Sequence, residues 1–244
     1  GYYLVRIGYD VDVYEAESVA GGVLAFGIPE YRLPQSVIAH EIELIKQAGV
    51  NIFLNTEVGR DVDFQDLRKK YDAIYVATGT QFPQRVNIPG EELDGVIHGI
   101  NFLKNVNLKR EVKLGNTVAV IGGGNTAIDS ARTALRLGAK KVLILYRRTI
   151  DAMPAYESEI HEAIAEGVEI MELVSPVRFI GGKTGSVKKI ECIRMKLGEF
   201  DNSGRRKSIP IEGSDFIIEV DNVIPAVSQY SDLPFINKEE VEVT

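Results

Sequence analysis

The sequence predicts an α/β fold with two domains, one inserted into the other. Strand and helix patterns alternate along most of the chain, and two strand–helix–strand patterns flank the Pro/Gly-punctuated stretch "TQFPQRVNIPGEELDGV". Alternating strands near the end, joined by Gly, Asn and Ser turns, predict a small antiparallel meander. We expect a discontinuous domain over residues 1–104 and 225–244, with "NVIPAV" as its return strand, interrupted by a second domain over 105–224.

Composition limits the possible classes of protein. The 244 residues are enough for one large or two ordinary domains, and 45% hydrophobic with 26% charged residues is typical of a globular protein. A net charge of -7 argues against a nucleic-acid surface, and no apolar run approaches the ~20 residues of a membrane span. One cysteine excludes an internal disulfide framework. We therefore expect a cytoplasmic protein with neither nucleic-acid nor membrane partners.

The first elements resemble the second half of a nucleotide-binding unit. A helix is expected from Tyr2 to Ile7 with Gly8 as its stop, followed by a buried strand, Val11 to Tyr14, that ends on Glu15. In a dinucleotide-binding unit an acid at this strand tip binds a ribose hydroxyl, and the phosphate-binding glycines lie about 20 residues earlier. No such glycines precede Glu15, so we expect that the sequence is a piece of a longer protein.

The next elements are a helix and two strands. The helix begins at Pro34 and ends at Gly49, and the strand "VNIFLN" follows it. The apolar stretch "DAIYVATG" predicts a further strand that ends in a turn of small residues, Ala77, Thr78 and Gly79. Backbone can approach a ligand closely at such a turn.

The strongest signal lies in the middle of the chain. A strand over Val118 to Ile121 precedes Gly122-x-Gly124-x-x-Ala127, a helix, and a second strand over Val142 to Tyr146. This strand–helix–strand context is what a dinucleotide-binding glycine loop requires. The first glycine permits the tight turn, the second lets the backbone reach a pyrophosphate, and the helix N-terminus offers unpaired N–H groups.

Two polar residues, Asn125 and Thr126, follow the glycines and can add hydrogen bonds to the phosphates. The alternative is a glycine turn that packs a helix on a sheet and binds no ligand.

The tip of the second strand indicates which nucleotide is bound. An acid there would pair with the ribose hydroxyls of NAD, whereas this chain has Arg147 and Arg148. Two guanidinium groups favour a 2′-phosphate, which predicts NADP(H). The alternative is that both arginines are solvated or are held by carboxylates such as Glu157 or Glu159.

Several of these stretches together resemble a known family. The stretches "GGVLAFGIPEYRLP", "YVATGT", "VAVIGGGNTAIDSARTALRLGA", "YRRT" and "MPA" followed by "EGV" are similar to the small (beta) subunit of glutamate synthase and its relatives. This branch of the two-dinucleotide FAD/NAD(P)H oxidoreductases, within the pyridine nucleotide-disulfide oxidoreductase superfamily, also includes the ferredoxin:NADP transhydrogenase subunit and the N-terminal part of dihydropyrimidine dehydrogenase. The resemblance covers nearly the whole chain.

The resemblance implies two Rossmann-like dinucleotide-binding domains, with the NADPH domain inserted in a truncated FAD-type domain. In that family a hydride passes from nicotinamide to flavin, and electrons pass on to iron-sulfur clusters. Matching motifs imply FAD contacts at Glu15, Gly22, Leu24, Arg32, Val58, Ala77, Thr78 and Gly79. They imply NADPH contacts at Gly122, Gly124, Asn125, Thr126, Ala127, Arg147 and Arg148.

The sequence also departs from the family pattern. It has neither the first FAD glycine loop, nor the cluster-binding cysteines, nor the later Gly-Asp flavin motif, and Ser228 stands where the family usually has glycine. We therefore expect a fragment with a whole NADP(H) domain and a FAD domain without its ends. FAD is then a cofactor of the full-length protein, which this fragment alone binds poorly, and iron-sulfur clusters belong to missing segments or a partner.

For the remaining candidate residues, the sequence predicts structural roles. Cys192 lies within the meander and is expected to be a buried packing residue, because a disulfide reductase needs two nearby cysteines. The stretch "GGKT" predicts a hairpin turn, and no histidine has metal-ligand spacing. An acidic helix face is expected to be solvated; its members are Glu157, Glu159, Glu162 and Glu166.

The expected activity is an NADPH-dependent flavin oxidoreductase of the glutamate synthase small-subunit type. We nominate no catalytic residue, because the cofactors supply the chemistry of hydride transfer. The expected partner is a larger catalytic subunit or domain, such as the glutamate synthase large subunit or a ferredoxin-type electron carrier. The alternatives are a nucleotide-binding or subunit-docking fragment without turnover, or the transhydrogenase or dihydropyrimidine dehydrogenase type.

Overall fold

The structure is a computed structural model in which residues 1–200 and 204–236 are described. The chain divides into two compact units. Unit 1 comprises residues 1–82 and 230–244, of which 237–244 lie outside the described residues, and unit 2 comprises residues 83–229. Both contain parallel strand pairs and helices, which confirms the predicted α/β class.

Unit 1 is built around one parallel strand pair. Its elements are α1 (Tyr2–Arg6), β1 (Val11–Tyr14), α2 (Val23–Phe26), α3 (Gln35–Gln47), β2 (Val50–Phe53), α4 (Phe64–Lys70) and the two-residue strand β3 (Phe82–Pro83). β1 pairs with β2 from Val11 opposite Val50 to Tyr14 opposite Phe53. Gly8 and Gly49 follow their helices with φ of 97° and 110°, as the predicted helix stops require.

The prediction of a strand at "DAIYVATG" is wrong. Residues 72–79 form no strand, and all of them are exposed, including Tyr75 at 90%. A strand needs a neighbour to complete its ladder of backbone hydrogen bonds, and the sheet of β1 and β2 has two strands. Apolar composition alone therefore did not determine the structure of this segment.

Unit 2 contains a four-stranded parallel sheet in the order β11-β4-β5-β6. Its elements are α5 (Gly99–Asn107), β4 (Thr117–Ile121), α6 (Asn125–Arg136), β5 (Lys141–Tyr146), the 3-10 turn Ile150–Ala152, α7 (Glu157–Ala165), β6 (Glu169–Glu172), β7 (Val174–Gly181), β8 (Val187–Phe200), β9 (Arg206–Pro210), β10 (Phe216–Glu219) and β11 (Asn222–Pro225). A two-residue strand, β12 (Gln229–Tyr230), begins in unit 2 and ends in unit 1. Among the described residues, no helix is both long and apolar enough to cross a membrane.

Side chains of the central strands alternate between two cores. Val118 and Val120 of β4 face a core that includes the buried face of α6, whereas Ala119 and Ile121 face a second core. This alternation is the period-two pattern of a strand covered on both faces. The sheet is therefore held from both sides, which fixes the position of its carboxyl edge.

The second face of the sheet is covered by the predicted antiparallel meander. β8 pairs antiparallel with β7, β9 and β10, and the stretch "GGKT" lies at the turn between β7 and β8, as predicted. Cys192 of β8 is fully buried in the second core, which confirms a packing role. Burial raises the pKa of its thiol to about 12.

The boundaries between the two units differ from those expected from the sequence. Residues 83–104 and 225–229 lie in unit 2, not in the discontinuous domain predicted over 1–104 and 225–244. Val96 bridges Val223, and α5 packs against α6. The stretch "NVIPAV" does form a strand, but Pro225 pairs with Ile121 in the central sheet of unit 2. Long-range pairing that local sequence does not reveal sets these boundaries.

Candidate functional site

The glycine loop joins β4 to α6 at the carboxyl edge of the parallel sheet. Gly122 has a φ of 143°, and a Cβ there would lie 2.3 Å from the carbonyl oxygen of Ala226. Its N–H donates to the carbonyl of Leu145, 3.2 Å away. Only glycine can occupy this position without displacing backbone, so Gly122 is required by the fold itself.

Gly123 is required by packing. A Cβ at this residue would lie 2.5 Å from the ring of Tyr146, which is buried at the end of β5. The Tyr146 hydroxyl donates to the carbonyl of Ala152 at 2.7 Å, and the N–H of Ala155 donates to the carbonyl of Gly123 at 3.2 Å. The glycine loop, the tip of β5 and the segment after it therefore form one packed assembly.

Gly124 differs from both neighbouring glycines. Its φ is −90°, which any residue adopts, and the nearest atom to a Cβ there would be Cγ of Pro154 at 4.0 Å. Neither backbone geometry nor packing requires glycine at this position. The open space lies at the N-cap of α6, where the N–H groups of Asn125 and Thr126 have no intrahelical partner, whereas that of Ala127 donates to the Gly124 carbonyl at 2.9 Å.

The three residues after Gly124 have different environments. Asn125 is half-buried, and its side-chain oxygen accepts a hydrogen bond from the N–H of Tyr156 at 3.1 Å. Thr126 is half-buried, and Ala127 is fully buried against the sheet. The carbonyl end of the Asn125 side chain thus braces the loop, and its amide end remains a donor.

Arg147 and Arg148 directly follow β5. Arg147 is exposed, whereas Arg148 is buried, and its Nε donates to the backbone carbonyl of Arg206 at 2.7 Å. Glu159, one carboxylate considered as a partner for these arginines, pairs with Arg132.

The acidic face of α7 is exposed at Glu157 and Glu162, as predicted, but three of its four members also pair with a buried arginine, which the sequence did not suggest. Arg132 of α6 has a side chain only 4% exposed, and it contacts Glu159, Glu162 and Glu166 of the α7 region. The hydrogen bond from Arg132 lowers the pKa of Glu166. These carboxylates therefore join two helices, because a buried guanidinium needs anionic partners.

In unit 1, Glu15 lies at the tip of β1, as predicted. It is half-buried; its side chain accepts from the N–H of Glu17 at 2.9 Å, and its carbonyl accepts from the N–H of Thr56 at 2.9 Å. The second bond brings the segment that leads to half-buried Val58 beside this strand tip. One carboxylate oxygen of Glu15 is thus held by local backbone.

The other unit 1 candidates are spread over several segments. Gly22 precedes α2 with a φ of 56° and open space where a Cβ would lie. Leu24 of α2 is 53% exposed, and Arg32 is half-buried. The turn of Ala77, Thr78 and Gly79 is exposed, with a φ of 68° at Gly79.

The structure reveals a neighbour of the β5 tip that the sequence did not suggest. Arg206, which bonds to Arg148, is 58 residues away in the chain and starts β9. The only local signal was a pair of adjacent arginines, Arg205 and Arg206, after Gly204. A basic pair at a turn is common on protein surfaces, so the sequence alone does not indicate that these two arginines lie near the tip of β5.

Known proteins provide an independent comparison. The sequence model of the family described as "Pyridine nucleotide-disulphide oxidoreductase" matches residues 3–227. The NADP(+)-dependent formate dehydrogenase subunit beta of Moorella thermoacetica is 48% identical over 239 residues, 97% of this chain and 34% of that protein. The glutamate synthase (NADPH) small chain of Azospirillum brasilense is 37% identical over 254 residues, 97% of this chain and 52% of that protein. The chain thus spans about a third to a half of these relatives.

Solved structures show the same fold. FprA from Mycobacterium tuberculosis in complex with NADPH superposes with a TM-score of 0.78 at 21% identity, covering 92% of this chain and 65% of that one. Thioredoxin reductase from T. acidophilum superposes with a TM-score of 0.62 at 17% identity, covering 96% of this chain and 74% of that one. At these identities the likeness concerns the fold alone.

Proposed function

The chain belongs to the pyridine nucleotide-disulphide oxidoreductase family, and from that premise we propose that it is part of an NADPH-dependent flavin oxidoreductase of the glutamate synthase small-chain type. Unit 2 binds NADP(H), and unit 1 contributes to a FAD site in the full-length protein. When bound, these cofactors supply hydride transfer from nicotinamide to flavin and electron transfer onward to iron-sulfur clusters or a partner subunit.

The open space at Gly124 carries this proposal. Gly122 and Gly123 are explained by backbone and packing, but a Cβ at Gly124 would contact nothing closer than 4.0 Å. The space adjoins the N-terminus of α6, where N–H groups and the positive end of the helix dipole favour an anion. A pyrophosphate in this space would explain why residue 124 is glycine. It would accept hydrogen bonds from the first turn of α6.

The neighbouring side chains complete the proposed NADP(H) site. Asn125 and Thr126 are half-buried at the start of α6, where they can donate to phosphate oxygens. Arg147 and Arg148 follow the strand whose tip holds the ribose in this type of fold. Their positive charges favour a 2′-phosphate, which supports NADP(H) over NAD(H).

For unit 1 we propose the contacts to FAD given by the family motifs. Glu15 would bind a ribose hydroxyl, and Gly22 and Gly79 would let backbone approach the nucleotide, since a Cβ at either residue would lie in open space. Leu24, Arg32, Val58, Ala77 and Thr78 complete this set. The proposed partner is a larger subunit or a ferredoxin-type carrier, and the proposed location is the cytoplasm.

Alanine substitution of Gly123 and of Gly124 tests the NADP(H) site. Gly124→Ala should keep the melting temperature within a few degrees, because its Cβ meets only Pro154 at 4.0 Å. It should weaken NADP⁺ binding about tenfold or more, because the methyl group occupies the proposed pyrophosphate space. Gly123→Ala should instead destabilise the fold by about 1–3 kcal/mol through overpacking against Tyr146.

The measurements are calorimetric titration with NADP⁺ and thermal unfolding of wild type and both variants. An unchanged NADP⁺ affinity in a folded Gly124→Ala variant would refute a pyrophosphate at this position. A wild-type chain that binds no NADP⁺ would refute the proposed function of unit 2.

A further inference from the structure

A short segment lies beside the glycine loop. It comprises residues 153–156, between the 3-10 turn after β5 and the start of α7. The N–H of Ala155 donates to the carbonyl of Gly123 at 3.2 Å. The N–H of Tyr156 donates to the side-chain oxygen of Asn125 at 3.1 Å. The segment is thus held at two points, which fixes its position relative to the start of α6.

Buried and exposed residues alternate along this segment. Met153 and Ala155 are each 8% exposed, whereas Pro154 is exposed and Tyr156 is 64% exposed. Cγ of Pro154 lies 4.0 Å from the position of a Cβ at Gly124, so the exposed side of the segment borders the open space proposed for the pyrophosphate. Tyr156 belongs to the same exposed side and lies at the margin of that space.

The backbone of this segment has no N–H group left to donate to a ligand. The N–H of Met153 donates to the carbonyl of Ile150 at 3.0 Å, and those of Ala155 and Tyr156 donate to the glycine loop and to Asn125. Proline has no N–H at all. Backbone hydrogen bonds to an anion must therefore come from the start of α6, and the segment can contribute packing against an apolar or aromatic part of the ligand.

Tyrosine is well suited to pack against a nucleotide base. An aromatic ring stacks on the flat face that every base presents. The bond from the Tyr156 N–H holds the backbone, so that only the two side-chain torsions become ordered when a ligand binds. The residue is 64% exposed, so most of its surface is accessible to a ligand.

The strand order indicates which base of the dinucleotide lies nearby. In the parallel sheet, β5 and β11 lie on opposite sides of β4, the strand that leads into the glycine loop. A dinucleotide crosses the carboxyl edge of such a sheet at this loop, with its adenosine ribose at the tip of the second strand of the unit, here β5. Because the segment 153–156 follows β5, it lies on the adenosine side.

We propose that Tyr156 binds the adenine base of NADP(H) by stacking, and that Pro154 forms the adjoining part of the same apolar wall. The inference rests on the proposed function, because it requires the pyrophosphate at the N-terminus of α6. The first turn of α6 then holds the phosphates, and the wall holds the base. Affinity for the adenosine half of the cofactor therefore depends on a residue outside the glycine motif.

Two nucleotides and a set of variants test the inference on the full chain. The probes are NADP⁺ and 2′,5′-ADP, which share the adenosine half, whereas only NADP⁺ carries nicotinamide. Tyr156→Ala and Tyr156→Leu remove the aromatic ring and should weaken binding of both probes by the same factor, about fivefold or more. Tyr156→Phe keeps the ring and should bind both probes within about twofold of wild type.

The matched control is Ile164→Ala. It removes an exposed apolar side chain near the other end of α7, far along the helix from the glycine loop, and should leave both affinities within about twofold. Melting temperatures are measured for all variants. Tyr156→Ala should melt with the wild type because the residue is exposed, and Tyr156→Leu decides the case if Tyr156→Ala unfolds.

The outcomes separate this inference from the proposed function. A wild-type chain that binds neither probe would overturn the proposed function of unit 2 and this inference with it. A wild-type chain that binds both, with affinities unchanged in Tyr156→Ala, would overturn the inference alone. So would a loss for NADP⁺ without a loss for 2′,5′-ADP, which would place the ring at the nicotinamide. An equal loss in Tyr156→Phe would assign the effect to the hydroxyl and overturn stacking.

Discussion

Arg147 and Arg148 are adjacent in sequence but differ in how strongly each can act on a ligand. Arg147 is exposed, so water and salt screen its charge, whereas Arg148 is 6% exposed and is hydrogen bonded to the carbonyl of Arg206. A buried, positioned guanidinium loses less entropy when it binds a phosphate. The two arginines should therefore contribute unequally to NADP(H) binding.

Alanine substitution of each arginine tests this inequality. Arg148→Ala should weaken NADP⁺ binding about tenfold or more, since a hydrogen bond to a charged group contributes about 1.5–3 kcal/mol. It should also lower the melting temperature, because it removes the bond to Arg206. Arg147→Ala should weaken NADP⁺ binding less and leave stability unchanged. Titration of NADP⁺ and NAD⁺ against both variants is the measurement, and an equal loss for both nucleotides would contradict a role in reading the 2′-phosphate.

Cys192 provides a second test at the residue scale. Its thiol is fully buried, and its pKa is raised to about 12 by that burial. Because the thiolate is the reactive form, the native chain should react very slowly with a thiol reagent at pH 8 and rapidly after denaturation. It is the chain's single cysteine, so total labelling reports it alone. Fast stoichiometric labelling of the native chain would contradict its packing role.

At the scale of elements, α6 and α7 are joined through one buried cation. Arg132 contacts three carboxylates, whose side chains are between 19% and 64% exposed. The sequence could not show this, because the partners are 27 to 34 residues apart. The same α6 begins at the glycine loop, so this network also supports the position of the proposed phosphate site.

Arg132→Ala should destabilise the chain by about 3 kcal/mol or more, because it leaves acidic side chains without their buried partner. The matched control is Arg136→Ala on the same helix. Arg136 contacts Glu166, but its side chain is 46% exposed, so its loss should cost at most about 1 kcal/mol. Urea unfolding of both variants provides the comparison, and equal losses would show that burial of Arg132 does not matter.

The network should also make stability depend on pH. The pKa of Glu166 is lowered from 4.5, chiefly by the Arg132 hydrogen bond, so its stabilising effect is present above about pH 4.5 and is lost as the pH falls through the lowered value. Glu166→Gln should therefore be less stable than wild type at pH 7, and the two should converge in acid. A difference in unfolding free energy that stays constant from pH 7 to pH 3 would contradict this.

The elements that could be predicted are those with local signals. β4, the glycine loop, α6 and β5 follow from residues within one continuous stretch, as do the glycine stops after α1 and α3. The segment 72–79 was predicted as a strand from its apolar residues, but a strand also requires a pairing partner. The hydrogen bond from Arg148 to the carbonyl of Arg206 joins the tip of β5 to a strand 58 residues away in sequence, so no local pattern could reveal it.

At the scale of the whole molecule, unit 2 includes more of the chain than expected. The Pro/Gly-punctuated stretch between the two strand–helix–strand patterns packs on the meander: the N–H of Phe179 donates to the carbonyl of Pro89, and that of Val187 to the carbonyl of Asp94, both at 2.8 Å. A Cβ at Gly90 would lie 2.2 Å from the Phe179 carbonyl oxygen, so glycine is needed for this approach. The glycine loop and the tip of β5 both belong to this one unit.

The central claim is that unit 2 binds NADP(H) at the glycine loop and the tip of β5. The most direct measurement is amide hydrogen exchange of the full chain, followed by mass spectrometry with and without saturating NADP⁺. We predict slower exchange in peptides that cover residues 122–128 and 147–149, with no change in the exposed segment 72–79. Protection confined to unit 1, or no protection at the glycine loop at saturating NADP⁺, would contradict the claim.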